Sequence, residues 1–453
     1  MVLTERCRLK GRTKTCRLKN DIYDLLCPMS ERMGYFHLHP EHSHSKNKSP
    51  NFIFRTLVAN ADIKKNSFSD RQIQHLRSYI SFNCRKKGKP SDETGKFLNK
   101  IISRGFGLLT LLDLEGVYKP ALPQTLGKNL ALLRYVGLRR TFLKKIPESV
   151  VHIPCMETLD LKHTLITSLP ISIWKAKNLR HLYMHGIYFE IETFGYEFPT
   201  NLQTLCGLMI GDNSPTINWL KRFKDLWKLG LICHTESINQ IVYWISQMTG
   251  LRSLRLKSVN DSSKPSSLHI PITISGIPNT LTNLYLVGEM SLFGEIFFVP
   301  NLRVLTLSAS QLTHDPMPIL KGLEHLIVLR LFANSYSGKE ITCGTCGFPQ
   351  LQVLKLWMLM ELSKWTIKEG AMPALRELEI RHCEKLEKPI GLEEVTTLEK
   401  LTLTSMDKDF VDEIKRSVGQ NVDDVENHWN FPLFVSSFHP FNFHVNLFVF
   451  HYV

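Results

Sequence analysis

The sequence predicts an α/β solenoid: a curved parallel β-sheet backed by helical or irregular convex arms. Three observations carry this. The spacing Leu-x-x-Leu-x-Leu, with conservative replacements, recurs thirteen times, its first positions running from Leu109 through Leu133, Met156, Leu179, Leu202, Leu226, Leu251, Leu281, Leu302, Leu326, Leu351 and Leu375 to Leu398. The copies return every 21 to 30 residues, mostly after 23 or 24, which fits the period of roughly 20 to 29 of a leucine-rich repeat. Within each copy alternate side chains fall on one face of a short strand. One such unit cannot cover its own Leu row, so stacked neighbours bury a common column, and each Leu removed from water contributes about 2 kcal/mol.

The frame extends past the strand. Leu133 is followed by Thr141, Leu143, Ile146, Pro147 and Val150, and Met156 by Thr164, Ile166, Leu169, Pro170 and Ile173. The Thr hydroxyl is expected to bond backbone across the turn, and Cys383 holds that position in a late copy. The Leu202 copy is the weakest, with Gly207 where the last Leu belongs and Leu208 one residue late. The thirty-residue return contains the segment Asn260 to Pro271, which reads as a loop insertion.

The ends differ from the middle. Leu76 to Phe82 resembles one more apolar strand, the basic run Cys84 to Lys89 a solvated loop, and Phe97 to Ile102 has helical spacing. Phe410, Ile414 and Val418 stand four apart, one face of an amphipathic helix suited to close the last repeat. The predicted organisation is a remnant and linker over 1–50, an N-terminal cap over 51–104, about 13 repeats over 105–408, a capping helix over 409–433 and an unassigned aromatic tail over 434–453.

Charge narrows the partners. The chain has 56 Lys and Arg against 42 Asp and Glu, but residues 1–104 hold 22 and 9 of these, leaving 34 against 33 for the body. A balanced body argues against a nucleic-acid partner along the solenoid, because a polyanion needs clustered cations. Ten cysteines in 453 residues read as reduced thiols rather than a disulfide scaffold. No apolar stretch follows Met1, and the segment Phe434 to Val453 is interrupted by Pro, Asn and His. The expectation is therefore a cytoplasmic chain, or one nuclear or peripheral at the plasma membrane, with no integral membrane span.

Catalytic and metal chemistry find little support. Cys343 and Cys346 have the spacing of half a zinc site, without a second pair. His37, His39, His42 and His44 with Glu41 lie among Ser and Lys and read as a solvated linker. No Ser, His and acid stand in a nucleophile motif, so no enzyme is expected.

Several stretches resemble the C-terminal half of plant disease-resistance proteins of the coiled-coil, nucleotide-binding, leucine-rich-repeat type. They include Leu111-Leu-Asp-Leu-Glu-Gly-Val117, Leu133-Arg-Tyr-Val-Gly-Leu-Arg-Arg-Thr141, Ile173-Trp-Lys-Ala-Lys-Asn-Leu-Arg-His-Leu-Tyr183, Phe198-Pro-Thr-Asn-Leu-Gln-Thr-Leu205 and the run from Met372 to Leu386. The resemblance covers roughly Arg12 to Pro432. Gly11 to Leu26 is similar to the winged-helix end of that family's nucleotide-binding (NB-ARC) module, but Leu18, Lys19 and Asn20 replace its Met-His-Asp triplet. No Gly-x-x-x-x-Gly-Lys-Ser/Thr loop occurs, and a phosphate cradle needs it, so no ADP or ATP cofactor is expected for this chain alone. The chain looks like a truncated receptor.

The resemblance implies recognition of a pathogen effector or a guarded host protein, and control of an NB-ARC switch in a complete receptor. Two alternatives stay open: a nucleotide-binding switch, and a cytosolic repeat adaptor such as a ubiquitin-ligase substrate receptor. From the repeat itself, side chains between the Leu positions face away from the core onto the concave sheet. The candidates for protein binding are Tyr183, His185, Arg255, Lys257, Tyr285, Arg330, Phe332, Lys355, Trp357, Glu379 and Arg381. Aromatic and Arg side chains suit an interface, with Trp357, Lys355 and Arg330 the strongest patch.

Overall fold

A computed structural model describes residues 2–8, 12–18, 28–30, 32–39, 53–59, 63, 67–81, 92–190, 201–210, 223, 225–234, 241, 245–260, 265, 278–290, 299–418 and 424–428. The chain divides into two compact units, one built from residues 1–209 and 222–226, the other from 210–221 and 227–453.

The first unit begins with an antiparallel hairpin, Val2–Arg8 against Arg12–Leu18. A parallel ladder follows, running through Phe36–His39, Thr56–Ala59, Ser78–Ser81, Leu111–Asp113, Tyr135–Gly137, Thr158–Asp160, His181–Glu190 and Thr204–Ile210. Leu112, Val136, Leu159, Leu182 and Leu205 stand in register along it and are at most 1% exposed. The helix Asp92–Ser103 buries Phe97, Leu98 and Ile101.

Three strands precede the first Leu-x-x-Leu-x-Leu copy, so the ladder starts inside the range read above as remnant and linker. His37 is a ladder residue stacked on Phe54, with ring centroids 4.6 Å apart, and His39 meets the edge of Phe68. These two histidines are packing groups rather than parts of a solvated linker. His42, His44, the run from Cys84 to Lys89 and the tail 434–453 lie outside the described residues.

The weak Leu202 copy has a structural cause. Tyr183 pairs with Cys206 and Ile187 with Leu208, so three residues of one strand face the single Gly207 of the next. Gly207 adopts φ +82°, and a Cβ there would stand 1.9 Å from the Met184 carbonyl oxygen. Only glycine accepts both conditions, and Leu208 regains the core at 2% exposed.

The second unit has a parallel ladder of its own, Lys228–His234, Ser253–Val259, Asn283–Val287, Val304–Ser308, Val328–Phe332, Val353–Trp357, Glu377–Arg381, Lys400–Thr404 and Asp424–His428. Leu254, Leu284, Leu305, Leu329, Leu354, Leu378 and Leu401 form one column and Leu256, Leu286, Leu307, Leu331, Leu356, Ile380 and Leu403 a second, all at most 3% exposed. A two-stranded parallel sheet, Glu340–Cys343 with Lys364–Ile367, forms part of the connecting arms. The helix Lys408–Val418 buries Phe410, Val411 and Ile414.

Three of the turns after a strand are closed by the side chain at the Thr position of the repeat frame. Thr141 Oγ1 donates to the Leu138 carbonyl at 2.7 Å and Thr164 Oγ1 to that of Leu161 at 2.9 Å. Cys383 substitutes a longer thiol contact, 3.5 Å to the Arg381 carbonyl.

Candidate recognition face

Because the ladder of the second unit keeps strict register, residues at equivalent repeat positions form rows across neighbouring strands. In the second unit the position between the two core leucines gives the row Arg255, Tyr285, Thr306, Arg330, Lys355, Glu379 and Thr402. The position after the second leucine gives Lys257, Val287, Ser308, Phe332, Trp357, Arg381 and Thr404. Nine of the eleven predicted residues stand in these two rows, so adjacent strands place them side by side, roughly 4.8 Å apart. Tyr183 and His185 belong to the first unit and form a separate group.

The two rows separate into halves by charge. Toward the later repeats, Lys355 Nζ lies 2.8 Å from Glu377 Oε1 and 2.5 Å from Glu379 Oε2, and Arg381 pairs with the other oxygen of Glu379. Glu379, 3% exposed, thus satisfies two cations at once. Trp357 is sandwiched: Phe332 stacks on it with centroids 4.1 Å apart and an interplanar angle of 17°, and the Arg381 guanidinium carbon lies 4.7 Å from its centroid. Phe332 and Trp357 are 5% and 4% exposed. Both rings were expected to stand free as an interface anchor, and both are instead packed by neighbours from adjacent repeats. The patch read as strongest therefore presents Lys355 and Arg330 but little of Trp357.

Toward the earlier repeats the rows hold Arg255, Lys257 and Arg330. The Arg255 guanidinium carbon lies 4.4 Å from the Tyr285 ring centroid. Lys257 is half-buried and has no carboxylate within ion-pairing distance among the described residues; burial, with Arg255 beside it, pulls its amine down to about 8. Arg330 reaches Thr306 Oγ1 at 3.5 Å, and burial lowers its pKa against the pull of Glu377, Tyr285 and Glu379. Burial also raises the Tyr285 phenol, while Arg255 and Arg330 pull the other way.

In the first unit Tyr183 lies beneath Lys162, whose Nζ is 4.6 Å from the ring centroid, and His185 packs on His163 at 4.7 Å. The prediction passed over a polar network one to three strands earlier. Arg139 lies 3.4 Å from both Glu115 and Asp160, and Arg140 lies 3.6 Å from Glu115. Burial raises the Asp113 carboxyl. Gly137 makes this possible, because a Cβ there would stand 2.5 Å from Asp113 Oδ1 and 2.7 Å from the Tyr135 ring. Asp113, Glu115, Arg139 and Asp160 occupy the same between-leucine and after-leucine positions, so the rule that selected Tyr183 also reaches them. Glu377 was missed because it stands two residues before the between-leucine position, ahead of Leu378.

Cys343 and Cys346 do not share an environment: Cys343 is a buried strand residue whose thiol burial pushes up to about 12, whereas Cys346 is exposed. Among the described residues no helix is long and apolar enough to cross a membrane.

The rows of outward side chains on a parallel leucine ladder agree with a match over residues 75–434 to a family described as "Leucine-rich repeat region". The chain belongs to that leucine-rich-repeat family. Its relatives include Probable disease resistance RPP8-like protein 2 of Arabidopsis thaliana, 29% identical over 69% of this chain and 35% of that protein. Disease resistance RPP8-like protein 3 of the same plant is 36% identical over 63% and 35%. A third, another probable disease resistance protein of Arabidopsis thaliana, is 28% identical over 92% and 46%. The chain thus spans a third to a half of the length of these relatives and is similar to a leucine-rich-repeat portion of plant disease-resistance proteins. Among solved structures, an LRR protein of Leptospira interrogans has 17% identity and a TM-score of 0.45, covering 82% of this chain and 95% of that one.

Proposed function

We propose that this leucine-rich-repeat chain serves plant defence as a non-enzymatic recognition surface, binding a pathogen effector or a guarded host protein and regulating a nucleotide-binding switch as part of, or in competition with, a complete receptor. The observation that carries the reading is the registered double row from Arg255 to Arg381, whose aromatic and charged side chains have the composition of a protein interface. Similarity to the repeat portion of disease-resistance proteins gives the biological setting. Cytoplasmic residence, the absence of a bound nucleotide on this chain alone and the absence of catalysis belong to the same proposal.

The test is co-expression with the nucleotide-binding module of an RPP8-like relative, followed by co-purification and a leaf cell-death assay. The expected result is a stable association, weakened at least tenfold when Arg330 and Lys355 are both changed to Ala. No association with that module, and no change in cell death caused by the complete relative, would refute the proposal. Saturable micromolar ADP binding by the purified chain would instead favour the nucleotide-switch alternative.

A further inference from the structure

Four successive repeats of the first unit carry a large apolar side chain at one position of the turn that follows the strand. Tyr118, Phe142, Leu165 and Tyr188 each stand nine residues after the first position of their copy, Leu109, Leu133, Met156 and Leu179. Phe142, Leu165 and Tyr188 are 40%, 41% and 39% exposed. Tyr118 is half-buried, with its ring centroid 5.6 Å from that of Phe142. The turns are tied to one another step by step: the Lys119 N–H donates to the Thr141 carbonyl at 2.7 Å, that of Leu165 to Leu143 at 2.8 Å and that of Tyr188 to Thr167 at 2.9 Å. The four side chains therefore line up across three ladder steps, roughly 14 Å at the usual strand spacing.

The repeat frame does not ask for apolar residues at this position. In the second unit the same offset holds Gln311, Ser335 and Glu384 as well as Met290 and Met360, and Gln311 and Glu384 are exposed. The uninterrupted row in the first unit thus serves no packing need common to the repeats, and a contiguous exposed apolar stripe gains free energy when a partner covers it.

Cations accompany the stripe. Lys144 and Lys145 follow Phe142 by two and three residues, are exposed, and enter no ion pair among the described residues. Lys119 Nζ lies 5.1 Å from the Tyr118 ring centroid. Glu115, in the first of the four repeats, is already engaged by Arg139 and Arg140.

We infer that the stripe of Tyr118, Phe142, Leu165 and Tyr188 docks an acidic amphipathic helix of a partner protein. This surface uses none of the residues of the double row and does not rest on the reading above. On a helix, apolar residues at i, i+4, i+7 and i+11 form a stripe of about 16 Å, close to the length of the row they would cover. Acids flanking that helical stripe meet Lys144 and Lys145, which fixes orientation by charge. A second copy of this chain fits less well, because it would bring the same cations into the interface with no anion for them. A lipid surface fits less well too, because the chain itself already covers most of each side chain, and lipid gains nothing from their regular spacing.

The test titrates the full chain into a fluorescein-labelled peptide with Leu at those four positions, Glu on both sides of them and Ala elsewhere, its helicity checked by circular dichroism. Controls are the same residues in shuffled order and a version with Lys for every Glu. Anisotropy is expected to show saturable micromolar binding, at least tenfold tighter than for either control. The variant F142N/L165S is expected to lose at least tenfold; Asn accepts the left-handed backbone of Phe142, whose φ is +56°. M360S, at the same offset in the second unit, is expected to change binding less than twofold. K144E/K145E is expected to lose at least fivefold, and because both changes are at exposed positions it carries the test should F142N/L165S fail to fold.

No binding of the Glu helix, equal binding of the shuffled peptide, or an equal loss in M360S would each overturn the inference. So would co-sedimentation with phosphatidylserine-containing vesicles that F142N/L165S abolishes, in place of peptide binding, since that would assign the stripe to a membrane surface.

Discussion

Phe332 and Trp357, from adjacent repeats, stack with centroids 4.1 Å apart and an angle of 17°. The Trp357 indole N–H has no hydrogen-bond partner among the described residues, so its contribution comes from ring contact and the overlying Arg381. Trp357→Ala is expected to destabilise the second unit by about 3–5 kcal/mol, the range for removing a buried large aromatic. Trp357→Phe keeps the stack and removes a buried donor that makes no bond, so it is expected to cost under ~1.5 kcal/mol. Urea unfolding followed by tryptophan fluorescence and circular dichroism measures both, and equal losses would contradict the stacking account.

Glu379 is expected to behave as the hub of its charge cluster. It is 3% exposed and shared by Lys355 and Arg381, so Glu379→Gln takes the carboxylate from Arg381, leaves Lys355 with Glu377, and should cost about 3 kcal/mol. Removing Lys355 as well relieves part of that loss, because the cation that has lost one of its two carboxylates disappears with it. A double-mutant cycle of Glu379→Gln and Lys355→Met is therefore expected to show a coupling above ~1 kcal/mol. Additivity within ~0.5 kcal/mol would mean that the pair does not interact energetically.

These two cases mark where sequence reading stops. Spacing alone placed Arg255, Arg330, Lys355 and Glu379 in one row, because a side chain's face follows from period two along a strand and its row from the repeat. The turn hydroxyls of Thr141 and Thr164 were legible for the same reason. Burial of Phe332, Trp357 and Glu379 was not, since it depends on how far the Arg381 and Lys355 side chains of adjacent repeats reach across the face. Nor were the strands Phe36–His39 and Thr56–Ala59, whose short segments lack the Leu-x-Leu pair and are recognised only by pairing with Ser78–Ser81.

Gly207 and Gly105 separate steric from conformational demands. Both have positive φ, +82° and +68°, but a Cβ at Gly105 meets nothing within 4 Å, whereas one at Gly207 would stand 1.9 Å from the Met184 carbonyl oxygen. Gly105→Ala is expected to cost about 1 kcal/mol from the left-handed backbone. Gly207→Ala must also displace the neighbouring strand, and the expected loss exceeds ~3 kcal/mol. Thermal unfolding of the two variants beside the wild type reads the difference, and equal shifts in Tm would remove the steric argument for the bulge.

Lys257 gives the second unit a pH dependence of defined sign. Burial, with Arg255 next to it, lowers its amine from 10.5 to about 8. Below pH 8 the amine is protonated in both folded and unfolded chains, and the folded chain carries the full penalty of the half-buried charge, up to ~3 kcal/mol. Between about 8 and 10.5 the folded amine releases its proton first, so this penalty fades as pH rises. The Cys233 thiol on the preceding strand is pushed up to about 12 by burial and so does not titrate against it there. Lys257→Met is therefore expected to be more stable than the wild type at pH 7, with the advantage shrinking steadily to pH 10. Urea midpoints of both chains at unit steps of pH measure it. A constant difference would show that Lys257 titrates as an ordinary surface lysine and that its charge is solvated.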